Sequence, residues 1–361
     1  PEQWVKMAKD AGMKYITITS RHHDGFSMFD TKASDYNIVQ RTPYKKDVLK
    51  ALAEACKKEG IKLFFYYSLL DWRSDDYFPR GRTGKGIEGR AESGDWEQYI
   101  AFMKQQLTEL LTNYGDIAGI WFDGHWDQKE WDGKKFGAVK VDWHYEEIYA
   151  LIHELQPQCL IGNNHHLAPI KGEDFQMFEK DLPGKNTTGW GTSTTDIGAL
   201  PKEVCETING SWGFNLQDKK HKSDAELIQY LISAAGYGSN LLLNVGPMPN
   251  GEIQPEHIRS LEKIGKWLKQ YGETIYGTRQ GPVAPSSSMV STEKDGVVYL
   301  HLLDAQKDTY LIPHFKGKIK KMVFFENGEK VAYTVNEFGL TFAVPEGSKN
   351  DIDTIIAMEL R

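Results

Sequence analysis

Short apolar, β-branched runs alternate with helical patterns through the first 280 residues. The runs at 14–19, 61–67, 117–122, 159–163, 175–178, 212–214 and 240–245 read as strands. The stretches 2–10, 47–58, 96–114, 143–155, 224–235 and 255–271 read as helices. In the second of these helices Val48, Leu49, Leu52, Ala55 and Cys56 share one face, and Gly60 is the stop. Repeated strand–helix units predict an α/β fold with a parallel sheet covered on both faces. At this length a (β/α)8-like TIM barrel fits better than an open sheet. Seven strands fall short of eight, and the chain opens at Pro1 inside a helical pattern with no Met. The expectation is that the first βα unit is missing from this sequence. Residues 282–288 read as a Pro/Ser linker. Beyond it, runs at 297–302, 309–312, 319–324, 330–335, 340–344 and 354–358, with an Asn327-Gly328 turn, predict a C-terminal antiparallel β-sandwich. The expected domains are therefore a barrel over 1–280 and a sandwich over 281–361.

Composition narrows the function classes. Lys and Arg number 43 against 50 Asp and Glu, a net charge of -7. An acidic surface argues against nucleic acid as a partner. The sequence holds no apolar run long enough to span a membrane. The three cysteines, Cys56, Cys159 and Cys205, are too few and too far apart for a disulfide framework or a zinc ribbon. Cys56 and Cys159 read as small buried hydrophobes. No G-x-S-x-G, P-loop or G-x-G-x-x-G pattern is present. The sequence thus calls for no metal and no cofactor.

Barrel enzymes carry their chemistry where strands end. Polar and aromatic residues gather there: Arg21-His22-His23-Asp24-Gly25-Phe26, Tyr67 with Trp72, Trp121-Phe122-Asp123-Gly124-His125-Trp126, Asn163-Asn164-His165-His166, and Glu179. Asp123 follows an apolar run and precedes a glycine, which sets a carboxylate at a strand tip. An Asp-Gly turn or a helix cap is the competing reading. His22 and His23 could reach a barrel mouth from a loop, or be plain exposed loop residues. Metal ligation would want a wider spacing. Carboxylates among aromatics and histidines are what glycoside hydrolysis requires, one to attack and one to protonate the leaving oxygen.

Four of these motifs in order, Arg21-His22-His23-Asp24-Gly25-Phe26, Trp121-Phe122-Asp123-Gly124, the stretch from Cys205 through Ser211-Trp212-Gly213-Phe214, and Asn240-Leu241-Leu242-Leu243-Asn244-Val245-Gly246-Pro247, resemble the α-L-fucosidases of glycoside hydrolase family 29. The resemblance implies a catalytic barrel followed by a β-sandwich. It implies a retaining, exo-acting hydrolase of fucosylated glycans or fucosides, with a covalent fucosyl-enzyme intermediate. By the same resemblance Asp123 is the nucleophile, Trp121 belongs to the sugar site, and His22 and His23 bind fucose hydroxyls. Glu179 matches the acid/base, with Glu203 and Glu206 as competitors. His165 stands where many members carry a site arginine, and Tyr67 and Trp72 are further substrate-contact candidates. The family's first βα unit contributes sugar contacts that this sequence lacks. Family analogy implies export to a periplasmic, extracellular or lysosomal space. Another retaining glycosidase, or a carbohydrate-binding relative without catalysis, is the alternative.

Overall fold

The computed structural model describes residues 1–84, 86, 87, 89–131, 136–189 and 196–361. They form two compact units. The first is Pro1–Phe178 with the short stretch ending at Pro201. The second begins with the segment from Glu179 and continues through Lys202–Arg361.

The first unit runs α1 (Glu2–Asp10), β1 (Tyr15–Arg21), α2 (Ile38–Arg41), α3 (Val48–Glu59), β2 (Lys62–Ser68), α4 (Trp96–Thr112), β3 (Gly119–Asp123), β4 (Lys129–Trp131), β5 (Phe136–Val139), α5 (Tyr145–Leu155) and β6 (Leu160–Asn163). It ends in β7 (Gln176–Glu179), whose last residue counts with the second unit. Strands β1, β2, β3 and β6 lie side by side in that order, all parallel. The helices begin and end where the chain supplies caps. Asp47 accepts from the Lys50 amide at the start of α3, and Gly60 closes it in the left-handed region. Leu49, Leu52, Ala55 and Cys56 are the buried face of that helix, as the spacing predicts, while Val48, expected with them, is half-buried at its first position. Those on the buried face join Phe65, Tyr67, Leu107, Ile120, Phe122 and Ile161 in one apolar core. This core holds the strand tips at a common level.

The second unit contains β8 (Lys202–Thr207), α6 (Asp224–Gly236), β9 (Ser239–Asn244) and α7 (Pro255–Tyr271). Strands β8 and β9 pair in parallel with α6 between them in sequence. A capping box of Ser223 and Glu226 opens α6, and Pro255 opens α7. The remaining strands are β10 (Arg279–Gln280), β11 (Met289–Lys294), β12 (Val297–Leu302), β13 (Thr309–Pro313), β14 (Ile319–Phe324), β15 (Tyr333–Asn336), β16 (Gly339–Ala343) and β17 (Thr354–Leu360). They form an antiparallel sheet ordered β10-β11-β12-β17-β14 and a second ordered β13-β16-β15. A second apolar core, with Val298, Leu300, Phe342, Ile356 and Met358, belongs to these strands.

Two local expectations are corrected. Residues 212–214 form no strand, and the strand instead covers Lys202–Thr207. Its Lys and Glu residues break the apolar pattern, yet Glu203 and Glu206 are both buried. The irregular backbone at 212–214 passes close to Gly246, where a side chain would meet the Phe214 amide at 2.6 Å. Strand β11, directly after the Pro/Ser stretch, and α2, β4 and β5 in the first unit lie outside the sequence expectations. The Asn327-Gly328 turn is present, with Gly328 at φ 73. The three cysteines are buried and unbridged, and burial raises the Cys56 thiol to about 11. Among the described residues no helix is long and apolar enough to cross a membrane.

Candidate active site

The tips of β1, β2, β3 and β6 converge on one carboxylate in the first unit. Asp123 ends β3, in register with Ser68 at the end of β2. The turn after it needs Gly124, which sits at φ 98, and a side chain there would lie 2.9 Å from the Leu70 amide. The Asp123 carbonyl accepts from the Leu69 amide, and the Phe122 carbonyl accepts from the Asn164 amide. The loops leaving three strands are thus bonded together at this level.

The carboxylate has donors on both oxygens. Tyr66 donates its hydroxyl to Oδ2 at 2.8 Å. Trp126 Nε1 approaches Oδ1 at 3.3 Å, and Asn164 Nδ2 approaches it at 3.4 Å. His23 Nε2 lies 3.6 Å from Oδ2. Around this group the rings are layered. His22 stacks on Tyr66 at 5.2 Å, Tyr66 stacks on Trp121 at 5.2 Å, and His22 and His23 lie 4.0 Å apart. Trp72 and Trp126 each present an edge contact to His23 at 5.6 Å. Trp72 is held by its own bond from Nε1 to Thr83 Oγ1 at 2.8 Å. Flat rings of this kind offer apolar faces, and their polar edges supply hydrogen bonds.

His23 is buried, and its pKa falls to about 4. Withdrawal from water is the largest cause, and it outweighs the opposing pull of Asp123. The ring is therefore neutral at ordinary pH.

Beneath the histidines Arg21 is wholly buried. It donates to Asp71 Oδ2 at 3.0 Å, and to the Ser68 carbonyl and the Tyr99 hydroxyl at 2.7 Å each. Its guanidinium also covers the Tyr67 ring at 4.7 Å. The His23 carbonyl accepts from the Trp72 amide at 2.7 Å. The loops after β1 and β2 are thereby one rigid piece, and the two histidines inherit its position.

The structure brings His22, His23, Trp72, Trp121 and Asp123 together. Two expected substrate contacts do not join them. Tyr67 has no exposed surface, and its hydroxyl donates to Gln106 within the core. The tyrosine at the carboxylate is its neighbour Tyr66. His165 is also buried, with Nε2 on Glu173 at 2.8 Å and Nδ1 accepting from the Leu167 amide. The residue that reaches Asp123 from this loop is Asn164. Strand alternation separates Tyr66 from Tyr67, because neighbours on β2 point to opposite faces, whereas Asn164 and His165 lie in the loop after β6. Trp126 and Ser68, strand-end residues to which the sequence assigned no role, are further members.

The acid/base candidates all lie in the second unit. Glu179 ends β7 half-buried. Its backbone is held on both sides of Lys180, whose amide donates to Cys205 and whose carbonyl accepts from the Tyr230 hydroxyl. Glu203 is buried in β8. Glu206 is buried too, and its Oε1 accepts from the Thr207 amide at 2.6 Å and pairs with Lys222 Nζ at 3.3 Å. That carboxylate already has structural partners.

Comparison with known proteins gives a consistent picture. A family profile described as Alpha-L-fucosidase matches residues 1–273. The chain is 28% identical over 286 residues to Alpha-L-fucosidase 1 of Arabidopsis thaliana, covering 73% of this chain and 50% of that protein. It therefore spans half the length of that relative. Among solved structures it is similar to alpha-L-fucosidase isoenzyme 1 of Paenibacillus thiaminolyticus, with a TM-score of 0.83 and 31% identity over 100% of this chain and 86% of that one. It is also similar to a family 29 alpha-L-fucosidase of Bacteroides thetaiotaomicron trapped as a covalent intermediate with 2-fluoro-fucosyl fluoride. There the TM-score is 0.80 with 26% identity, over 100% of this chain and 82% of that one. With three quarters of its length matched by that profile, the chain belongs to the alpha-L-fucosidase family.

Proposed function

We propose that this chain is a retaining exo-α-L-fucosidase that removes terminal fucose from glycans or simple fucosides. The observation that carries the reading is Asp123 itself, set at a strand tip with both oxygens oriented by Tyr66, Trp126 and Asn164 beside the His22–His23 pair. An attacking carboxylate must be oriented before substrate arrives, and a ring of donors does this.

In this reading Asp123 attacks the anomeric carbon of fucose as the glycosidic C–O bond breaks. Glu179 gives its proton to the departing oxygen. Glu179 then takes a proton from water, the water oxygen attacks the anomeric carbon, and Asp123 leaves. Two inversions give net retention. His22, His23, Trp72 and Trp121 hold the hydroxyls and faces of the sugar. No metal or cofactor enters these steps. Glu179 is preferred for its place shortly after Gly172-Glu173-Asp174-Phe175, which fits the family's acid/base position.

The same reading assigns the scaffold to a (β/α)8-like barrel over residues 1–280 and an antiparallel β-sandwich over 281–361. The parallel strands β1, β2, β3, β6 and the parallel pair β8–β9 support the former. The two antiparallel sheets of β10–β17 support the latter.

The test is release of 4-nitrophenol from 4-nitrophenyl α-L-fucoside, and of fucose from a fucosylated oligosaccharide. Turnover by the parent but not by Asp123→Ala is expected, with the released sugar first appearing as the α anomer by NMR. Turnover that survives Asp123→Ala, or release of the β anomer, would overturn the assignment.

A further inference from the structure

Ser68 has no exposed surface and ends β2 in register with Asp123. Its Oγ has two close partners. One is the Leu70 carbonyl oxygen at 2.7 Å, and the other is His23 Nδ1, also at 2.7 Å. A hydroxyl carries a single proton. A carbonyl can only accept, so that proton points to Leu70. The remaining contact is then one in which Oγ accepts, and His23 Nδ1 must be the nitrogen that bears hydrogen.

His23 is neutral, as its burial requires, and a neutral imidazole has only one N–H. Its Nε2 is therefore a bare lone pair. That lone pair faces Asp123 Oδ2 at 3.6 Å, a distance at which no hydrogen bond joins the two. Two acceptors facing one another leave a place that a donor hydroxyl fills.

We infer that Ser68 is a positioning residue that holds His23 in its Nδ1–H tautomer, so that Nε2 stands beside Asp123 as an acceptor for a sugar hydroxyl rather than as a donor to the carboxylate. The inference rests on the fucosidase reading of the site. Were the tautomer reversed, Nε2–H would set its partial positive charge beside Oδ2 at 3.6 Å and draw electron density from the attacking group. It would also take away the acceptor offered to the sugar. Both effects slow the reaction, and Ser68 prevents them without touching substrate.

The experiment is ¹⁵N NMR of imidazole-labelled histidines in the full chain at neutral pH, with the His23 signal assigned by its loss in His23→Gln. The parent is expected to carry hydrogen on Nδ1. Ser68→Ala is expected to shift His23 toward the Nε2–H form and to lower kcat/KM on 4-nitrophenyl α-L-fucoside about tenfold, the effect of one hydrogen bond. Ser68→Thr keeps a hydroxyl and is expected to restore both the Nδ1–H signature and most of the rate. An Nε2–H parent, or unchanged kcat/KM in Ser68→Ala, would overturn the inference. The parent spectrum decides the tautomer even where a Ser68 variant fails to fold. A parent inactive on every fucoside would instead refute the functional reading, which the spectrum does not test.

Discussion

Tyr66 and Trp121 are register partners on adjacent parallel strands, with rings stacked 5.2 Å apart and 23° from parallel. From this stack the Tyr66 hydroxyl reaches Asp123. Ring and hydroxyl are separable by Tyr66→Phe, which keeps the stack and removes one donor from the carboxylate. Stability is expected to change by no more than about 1 kcal/mol, and kcat/KM to fall roughly tenfold. Urea titration and steady-state kinetics on one preparation read both quantities. A variant as active as its parent would show that the hydroxyl does not act on the carboxylate.

Azide distinguishes the two proposed catalytic carboxyls. In Asp123→Ala it can enter the space left by the missing carboxylate and displace the leaving group directly, giving β-fucosyl azide by one inversion. In Glu179→Ala the fucosyl-enzyme still forms from an activated fucoside, and azide intercepts it with net retention as the α-azide. Product stereochemistry by NMR gives the answer. Rescue with retention in Glu203→Ala, and none in Glu179→Ala, would move the acid/base to Glu203.

Acid should unfold the first unit early. His23 and His125 are buried with pKa values lowered to about 4 and about 3, in each case chiefly by withdrawal from water. A histidine lowered in the folded state contributes stability that is complete above its unfolded value near 6.5. That contribution is lost as pH falls toward 4 and then 3. The contribution is roughly 3 kcal/mol for His23 and roughly 5 kcal/mol for His125. Denaturant midpoints should therefore drop steeply from pH 6.5 to 4, and His125→Gln should flatten the slope. A midpoint independent of pH over this range would contradict the burial of neutral histidines.

The Arg21–Asp71 pair should be costly to break from one side. Both side chains are essentially without solvent contact, and the bond is 3.0 Å long. Asp71→Ala leaves a guanidinium buried without its carboxylate and also strips the amides of Arg73 and Ser74 of their acceptor. A loss of about 3 to 5 kcal/mol is expected. Calorimetry or urea unfolding measures it. Because Arg21 precedes the histidine pair in sequence, activity should fall even where the variant remains folded.

The amino-acid sequence by itself determined the long helices and the main parallel strands of the first unit, though not α2, β4 or β5, because a period of 3.6 or a short apolar run is a local property. It also located Asp123, because an acid after an apolar run and before glycine marks the tip of a strand. The His22–His23 pair was legible from its place just past the end of an apolar, β-branched run. The strand at Lys202–Thr207 was not, because its two glutamates are buried by neighbours distant in sequence. The exchange of Tyr67 for Tyr66, and of His165 for Asn164, was equally out of reach. Tyr66 and Tyr67 are adjacent on β2 and face opposite ways, so the choice between them rests on register, while Asn164 and His165 lie in the loop beyond β6, where no local periodicity selects the side chain that turns inward. Trp121 is opposite Tyr66 only because β2 and β3 align Phe64 with Gly119. A slip of one residue would have brought Tyr67 to the carboxylate instead. Chemistry at this site was therefore written locally in residue type, while the hydrogen-bond partners of Asp123 were chosen by the packing that sets strand against strand.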